Sequence, residues 1–299
     1  MRLAGVALEL VVPDGPMPPG ITHLVERLPP ADTPGDAAIS YALAGPPTPE
    51  RPADLVLGRL SIWVDAPEVH VRDATGATAH MTEGFVAIGG GDERAANGFH
   101  ALFLFALTHL LAHRDLIVLH GAGVVFHGRS FLLLGGSGAG KSTLAVAALE
   151  AGWGLLSDDM VVIRRADDRL EATGVPRAVL VPPEDGWTVA TRAQDRDVRG
   201  RRLVEAELVA GWFPVEATVA VGHAGSVEGS LRPLSAHEVF AAVRAAFVSG
   251  MNPPLLRRFL PTAAALSRRP GWALDHGSDP RTRRTIATGL LTAVARGRA

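Results

Sequence analysis

Residues 130–152 hold the arrangement that most limits how this chain can fold. Ser130 to Leu134 is a short apolar run, Gly135-Gly136-Ser137-Gly138-Ala139-Gly140-Lys141-Ser142 follows, and Ser142 to Gly152 is alanine-rich with a glycine stop. The first part reads as a buried strand and the last as a helix. Between them the string fits G-x-x-x-x-G-K-[ST], the pattern of a phosphate-cradling P-loop. Glycine suits such a loop because the backbone must take positive φ and approach phosphate oxygens closely. Strand, loop and helix together aim successive N–H groups and the positive helix end at an anion. Gly135, Gly136, Ser137, Gly138, Ala139, Gly140, Lys141, Ser142 and Thr143 are therefore the candidate nucleotide-binding residues.

Lys141 is the only lysine in the 299 residues; of 29 Lys plus Arg, the other 28 are arginine. A compact ammonium on a flexible stem can curl over the β- and γ-phosphates inside a tight loop, where a planar guanidinium is too wide. Ser142 would offer its hydroxyl to Mg²⁺ and Lys141 its charge to the transferred phosphate.

Downstream, Gly154 to Ile163 is an apolar run interrupted by Asp158 and Asp159. A buried strand rarely carries two acids unless something compensates their charge. Mg²⁺ bound to nucleotide would do so, with one acid facing the metal and the other the incoming nucleophile. Asp167-Asp168 is the contrasting case: it lies between Arg164-Arg165 and Arg169 with no apolar frame, and reads as a solvated turn.

With 47% hydrophobic residues there is ample material for a core, and 299 residues fit two domains or one elaborated domain. A net charge of −2 gives no electrostatic case for a nucleic-acid partner. The absence of cysteine removes disulfides, thiol nucleophiles and cysteine metal sites, which fits a cytoplasmic location. The N-terminus is broken by Glu9 and reads as no signal peptide. Ala101 to Ala112 is too short to span a bilayer and reads as a buried helix, so no membrane partner is expected.

The first hundred residues differ from the rest. Leu3 to Val12, Asp54 to Val64, Glu68 to Arg72 and Thr78 to Ile88 read as strands, separated by Pro/Gly-rich loops such as Pro13 to Gly20. Gly89-Gly90-Gly91 reads as a turn before a helix at Ala95 to His113. The domains expected are a smaller β-rich one over residues 1–93 and an α/β catalytic domain over 94–299. Later segments give structure more than chemistry: strands at Val215 to Val221 and Trp272 to Leu274, and helices at Ala236 to Val248, Leu255 to Leu266 and Pro280 to Ala295. Ser235 reads as a helix cap. His276, between Asp275 and Gly277, could be drawn into a site but reads as a turn residue, and His109, His113 and His127 likewise fall outside any site. No grouping of histidines and acids has zinc-site spacing.

Val118-Leu119-His120-Gly121-Ala122, Lys141-Ser142 and Leu156-Ser157-Asp158-Asp159, in that order, resemble the catalytic domain of HPr kinase/phosphorylase. That family is a group of bacterial protein serine kinases whose P-loop fold is close to phosphoenolpyruvate carboxykinase. The resemblance covers about forty residues. It implies ATP and Mg²⁺ as cofactors, Ser142 and Asp159 as metal ligands, Asp158 as the catalytic base, and His120 as a support for the reacting phosphate. It also admits a homo-oligomer. The glycine-rich segment that HPr kinases carry after the aspartates for the reverse reaction is not found here. The chain looks more like shorter HPr-kinase-related proteins, some encoded with lasso-peptide tailoring enzymes, which phosphorylate a serine of a precursor peptide. Gly200-Arg201-Arg202-Leu203-Val204 resembles a basic stretch of these relatives, with Arg202 as the arginine that would neutralise charge on the γ-phosphate.

The function expected is thus an ATP-dependent kinase acting on a peptide or protein acceptor. The alternative is a nucleotide-binding switch or scaffold of a biosynthetic complex, which needs a metal ligand but no second acid. A carboxykinase acting on a small acid is disfavoured, since those enzymes use a further lysine.

Overall fold

The computed structural model describes residues 2–11, 35–42, 45–57, 59–90, 96–176, 179–181, 191–196, 202–204, 206–222, 229–247, 253–276 and 283–297. Contacts divide the chain into two compact units, Met1–Val118 with Val248–Leu260, and Leu119–Phe247 with Pro261–Ala299.

The first unit contains β1 (Arg2–Leu3), β2 (Val6–Val11), β3 (Ala37–Ala42), β4 (Leu55–Leu57), β5 (Leu60–Asp65), β6 (Glu68–Asp73), β7 (Thr78–Met81) and β8 (Phe85–Gly89). They form one sheet in the order β1-β2-β3-β8-β7-β6-β5-β4. The β2–β3 and β3–β8 pairs are parallel and the others antiparallel. Two expected strands are in fact broken. Ala4 and Gly5 take positive φ and divide the first, and the turn at residues 82–84 makes Thr78 to Ile88 a hairpin. β3 was not anticipated, because Ala-Ala-Ile-Ser-Tyr-Ala is poor in the bulky β-branched and aromatic side chains that mark strands.

Helix α1 (Ala96–Ala112) packs on β6, β7 and β8. Alternation on those strands buries Val69, Val71, Ala79, Met81, Val86 and Ile88. The sequence boundary at 93/94 precedes α1, whereas contacts group α1 with the strands it covers. Among the described residues, no helix is long and apolar enough to cross a membrane.

His109 is buried in α1, with Nε2 at 3.0 Å from the Thr82 carbonyl oxygen. Burial, then the neighbouring His113, lowers its pKa from 6.5 to about 4. The unfolded chain therefore takes up this proton first as pH falls. Its contribution to stability is complete above about pH 6.5 and declines towards pH 4, by on the order of 3 kcal/mol. In urea unfolding at pH 7 and pH 4.5, His109→Leu should lose less stability between the two than the wild type. Equal losses would remove His109 from the account.

The second unit is built around β9 (Ile117–Phe126), β10 (Arg129–Leu134), α2 (Lys141–Glu150), β11 (Gly154–Ser157), β12 (Met160–Ala166), β13 (Arg169–Gly174), β14 (Val179–Val181), β15 (Thr191–Arg196), β16 (Arg202–Val204), β17 (Phe213–Gly222), β18 (Ser230–Pro233), α3 (Ala236–Ala246), β19 (Gly271–Asp275) and α5 (Arg283–Ala295), while α4 (Pro253–Leu266) belongs to the first unit through Leu260 and to the second from Pro261. Its main sheet runs β10-β9-β12-β13-β17-β19-β18. β17 pairs with β13 through its first two residues and lies parallel to β10 over most of its length, so the ladder closes on itself. β9 runs unbroken from Ile117 through His120-Gly121-Ala122-Gly123 to Phe126.

The apolar core beside α2 joins Val124 and Leu133 of the sheet, Leu144 and Val146 of the helix, Trp153, and Leu291 of α5. Fully burying a side chain of this size contributes about 1.5–3 kcal/mol. Asp167 and Asp168 form the exposed turn between β12 and β13, as the sequence indicated. Ser235 caps α3 through a capping box with Glu238.

Candidate functional site

The glycine loop leaves the C-terminal end of β10, between β9 and β17, and enters α2 at Lys141. Gly138 and Gly140 have φ of 80° and 93°, conformations that only glycine adopts readily. Gly140 is the N-cap of α2, and no side chain caps the helix start. The first turn of α2 also contains no acid, so its positive end is not neutralised from within the helix.

Lys141 is buried at the mouth of this helix, and its Nζ donates to the carbonyl oxygens of Gly135 and Gly136 at 2.9 Å each. The ammonium is thus folded back over the loop. Burial lowers its pKa and the charge of Asp158 opposes that shift. Ser142 is half-buried and Thr143 buried, both in the first turn of α2.

The two aspartates do not lie within one strand. β11 ends at Ser157, Asp158 and Asp159 form a bend, and β12 begins at Met160. Ser157 makes that bend: its hydroxyl donates to the Val175 carbonyl oxygen at 3.0 Å and accepts from the amides of Asp159 and Met160 at 3.4 and 3.3 Å. Gly174 permits the close packing behind it, since an added Cβ would lie 1.8 Å from the Leu156 carbonyl oxygen. The bend resolves a difficulty of strand geometry, where neighbouring side chains point to opposite faces. Asp158 is buried and interacts electrostatically with Lys141, while Asp159 is half-buried.

His120 joins the same site from β9. Its Nδ1 lies 3.2 Å from both the main-chain oxygen and Oδ1 of Asp159. Both partners are acceptors, so Nδ1 carries hydrogen. The Gly121 amide donates to the same Asp159 carbonyl oxygen at 2.9 Å, fixing the bend against β9.

His276 is a correction to the sequence reading, which placed it in a turn outside the site. It follows β19, is 1% exposed, and its Nε2 donates to the Ala139 carbonyl oxygen at 3.0 Å. A Cβ on Gly140 would come within 2.1 Å of that nitrogen. The histidine therefore occupies space that any larger residue at position 140 would need. No local motif announces this contact, because the partners are 137 residues apart. Arg202 begins β16, and its side chain lies outside the described residues, as do Gly200 and Arg201.

No family model matches the chain. Among curated proteins, HPr kinase/phosphorylase of Chlorobium phaeovibrioides is 46% identical over 52 residues, which is 17% of this chain and 16% of that protein. The enzyme of the same name from Chlorobium chlorochromatii is 52% identical over 46 residues, 15% of this chain and 14% of that protein. Over these stretches the chain is similar to HPr kinase/phosphorylase. The matched stretches span about a sixth of the length of these relatives. Among solved structures, the Hpr(Ser) kinase/phosphatase of Coxiella burnetii aligns over 60% of this chain and 91% of its own, with a TM-score of 0.34 and 11% identity.

Proposed function

We propose that this protein is an ATP-dependent kinase that transfers the γ-phosphate to a serine hydroxyl of a peptide or protein, such as a ribosomally made precursor peptide. The observation that carries the reading is the grouping of a buried, loop-folded Lys141 with Asp158, beside Asp159 held by His120. A switch or scaffold needs a nucleotide loop and a metal ligand. It has no use for a second, buried acid beside the loop lysine.

The residues present fit a nucleotide triphosphate. The helix start has no side-chain cap, two loop glycines have positive φ, and the ammonium already rests on carbonyl oxygens of the loop. In this reading the loop amides and Lys141 hold the β- and γ-phosphates. Ser142 and Asp159 are the residues that would hold Mg²⁺, which supplies charge neutralisation between the phosphates when bound. Asp158 takes the proton of the acceptor hydroxyl as its oxygen bonds to the γ-phosphorus and the bond to the β-phosphate oxygen breaks. His120 orients Asp159, and the backbone bond from Gly121 keeps the bend in register. Arg202 is proposed to stabilise charge on the transferred group. His276 positions the loop through Ala139 and touches no reacting atom.

The domain assignment follows the same proposal, with residues 1–93 holding an extended acceptor and 94–299 carrying the chemistry in a cytoplasmic protein. Among the described strands β1 and β4 lie at the two ends of the first sheet, and on β4 Val56 is 64% exposed. An extended peptide can add to such an edge as a further strand. The test is intact-mass analysis of precursor peptides encoded beside the gene, after incubation with protein, ATP and Mg²⁺. A gain of one phosphate on a serine is expected. Tight nucleotide binding with no gain on any of these peptides would favour the switch reading.

A further inference from the structure

The first sheet carries a group of metal-binding side chains that local spacing in the sequence does not reveal. Glu68 and His70 are two residues apart on β6 and therefore share a face. His80 of β7 is the direct cross-strand partner of His70. One ligand atom from each of the three lies within 4.8 Å of the other two. His80 Nε2 is 2.8 Å from Glu68 Oε2, and the two imidazoles stack with centroids 4.4 Å apart and an 8° angle. Nδ1 of His70 is buried and makes no hydrogen bond among the described residues.

The surroundings make this face more than a chance meeting of surface side chains. Val69, Val71 and Met81, the alternate residues of the same two strands, are buried on the other side and hold the register. Trp63 pairs with His70 on the outer flank and is 5% exposed, while Ala87 pairs with His80 on the inner flank. A bulky wall thus stands on one side and a small residue on the other. Arg72, the next residue on this face, lies over the Trp63 ring at 5.7 Å and donates to Thr48 Oγ1. Spacing along the chain forms no zinc pattern; strand register assembles this group.

We propose that Glu68, His70 and His80 form a binding site for a zinc-like divalent transition metal ion, with the remaining coordination position open to water. Two imidazoles and one carboxylate are a ligand set suited to Zn²⁺. Binding replaces the His80–Glu68 hydrogen bond with two metal bonds and gives His70 a partner. The site stands on residues of the first unit alone and is independent of the proposed kinase chemistry.

The test uses the full chain with Zn²⁺ or Co²⁺ as the probe, without nucleotide. Wild type is expected to take up Co²⁺ at this site with the visible absorption of a tetrahedral ion, and Zn²⁺ should displace it. His80→Gln and Glu68→Gln are each expected to weaken uptake by at least about tenfold. Asp159→Asn, which alters the proposed nucleotide site, should leave it unchanged. Zn²⁺ should also raise the melting temperature of wild type and not that of His80→Gln, a comparison in which each protein is its own folding control. Uptake lost in Asp159→Asn but retained in both other variants overturns the proposal, as does a wild type that binds neither ion.

Discussion

Asp158→Asn is expected to lower phosphoryl transfer by about 10²–10⁴-fold, the range associated with a general base, while nucleotide still binds. The substitution preserves shape at a buried position and removes only the ability to accept the hydroxyl proton. It also removes the charge that opposes the lowering of the Lys141 pKa. The lysine therefore titrates at lower pH in the variant, and the pH dependence of nucleotide affinity should move with it. Single-turnover transfer and equilibrium nucleotide binding, measured side by side, separate the two effects. A variant that transfers phosphate within tenfold of wild type would rule Asp158 out as the base.

Lys141→Arg should be nearly as damaging although it keeps the charge, with transfer falling by about 10²–10³-fold, the scale for losing one preorganised donor. The ammonium reaches two adjacent carbonyl oxygens at 2.9 Å from within a buried position. A guanidinium is wider, planar and carries its donors in a fixed fork, so it cannot occupy that space without moving the loop. Arginine is the cation used at every other basic position, 28 of 29, which makes this exchange the most direct probe of the loop's shape. The same rates for lysine and arginine would mean that charge alone matters and that the loop yields easily.

The parts of this molecule that were legible in the sequence are those encoded by local pattern. The strand, loop and helix around Lys141 appear at residues 129–150 because an apolar run, positive-φ glycines and an alanine-rich helix are properties of adjacent residues. The Ser235 cap and the Asp167-Asp168 turn were visible for the same reason. The aspartate pair was recognised, but not the bend that separates its members, because that depends on Ser157 reaching Val175 and on Gly174 passing close to Leu156. β3 depends on pairing partners far away in the sequence, and the meeting of His70 with His80 depends on the register of the β6–β7 hairpin, which residue types alone do not set. His276 reads as a turn residue from its neighbours, which give no sign that it abuts the loop.

That last contact bears on the order in which the protein becomes competent. The ribosome delivers Gly135 to Lys141 long before β19, and the histidine that rests on Ala139 arrives 137 residues later. At a synthesis rate of about 5–20 residues per second, the loop spends roughly 7–27 seconds without its brace. A nascent chain halted before β19 also lacks a strand that lies parallel to β17, the strand which on its other side lies parallel to the loop-bearing β10. The proposed nucleotide site thus draws on segments far apart in the sequence, so a product truncated before His276 can carry the whole glycine loop and still lack the support that holds it in shape.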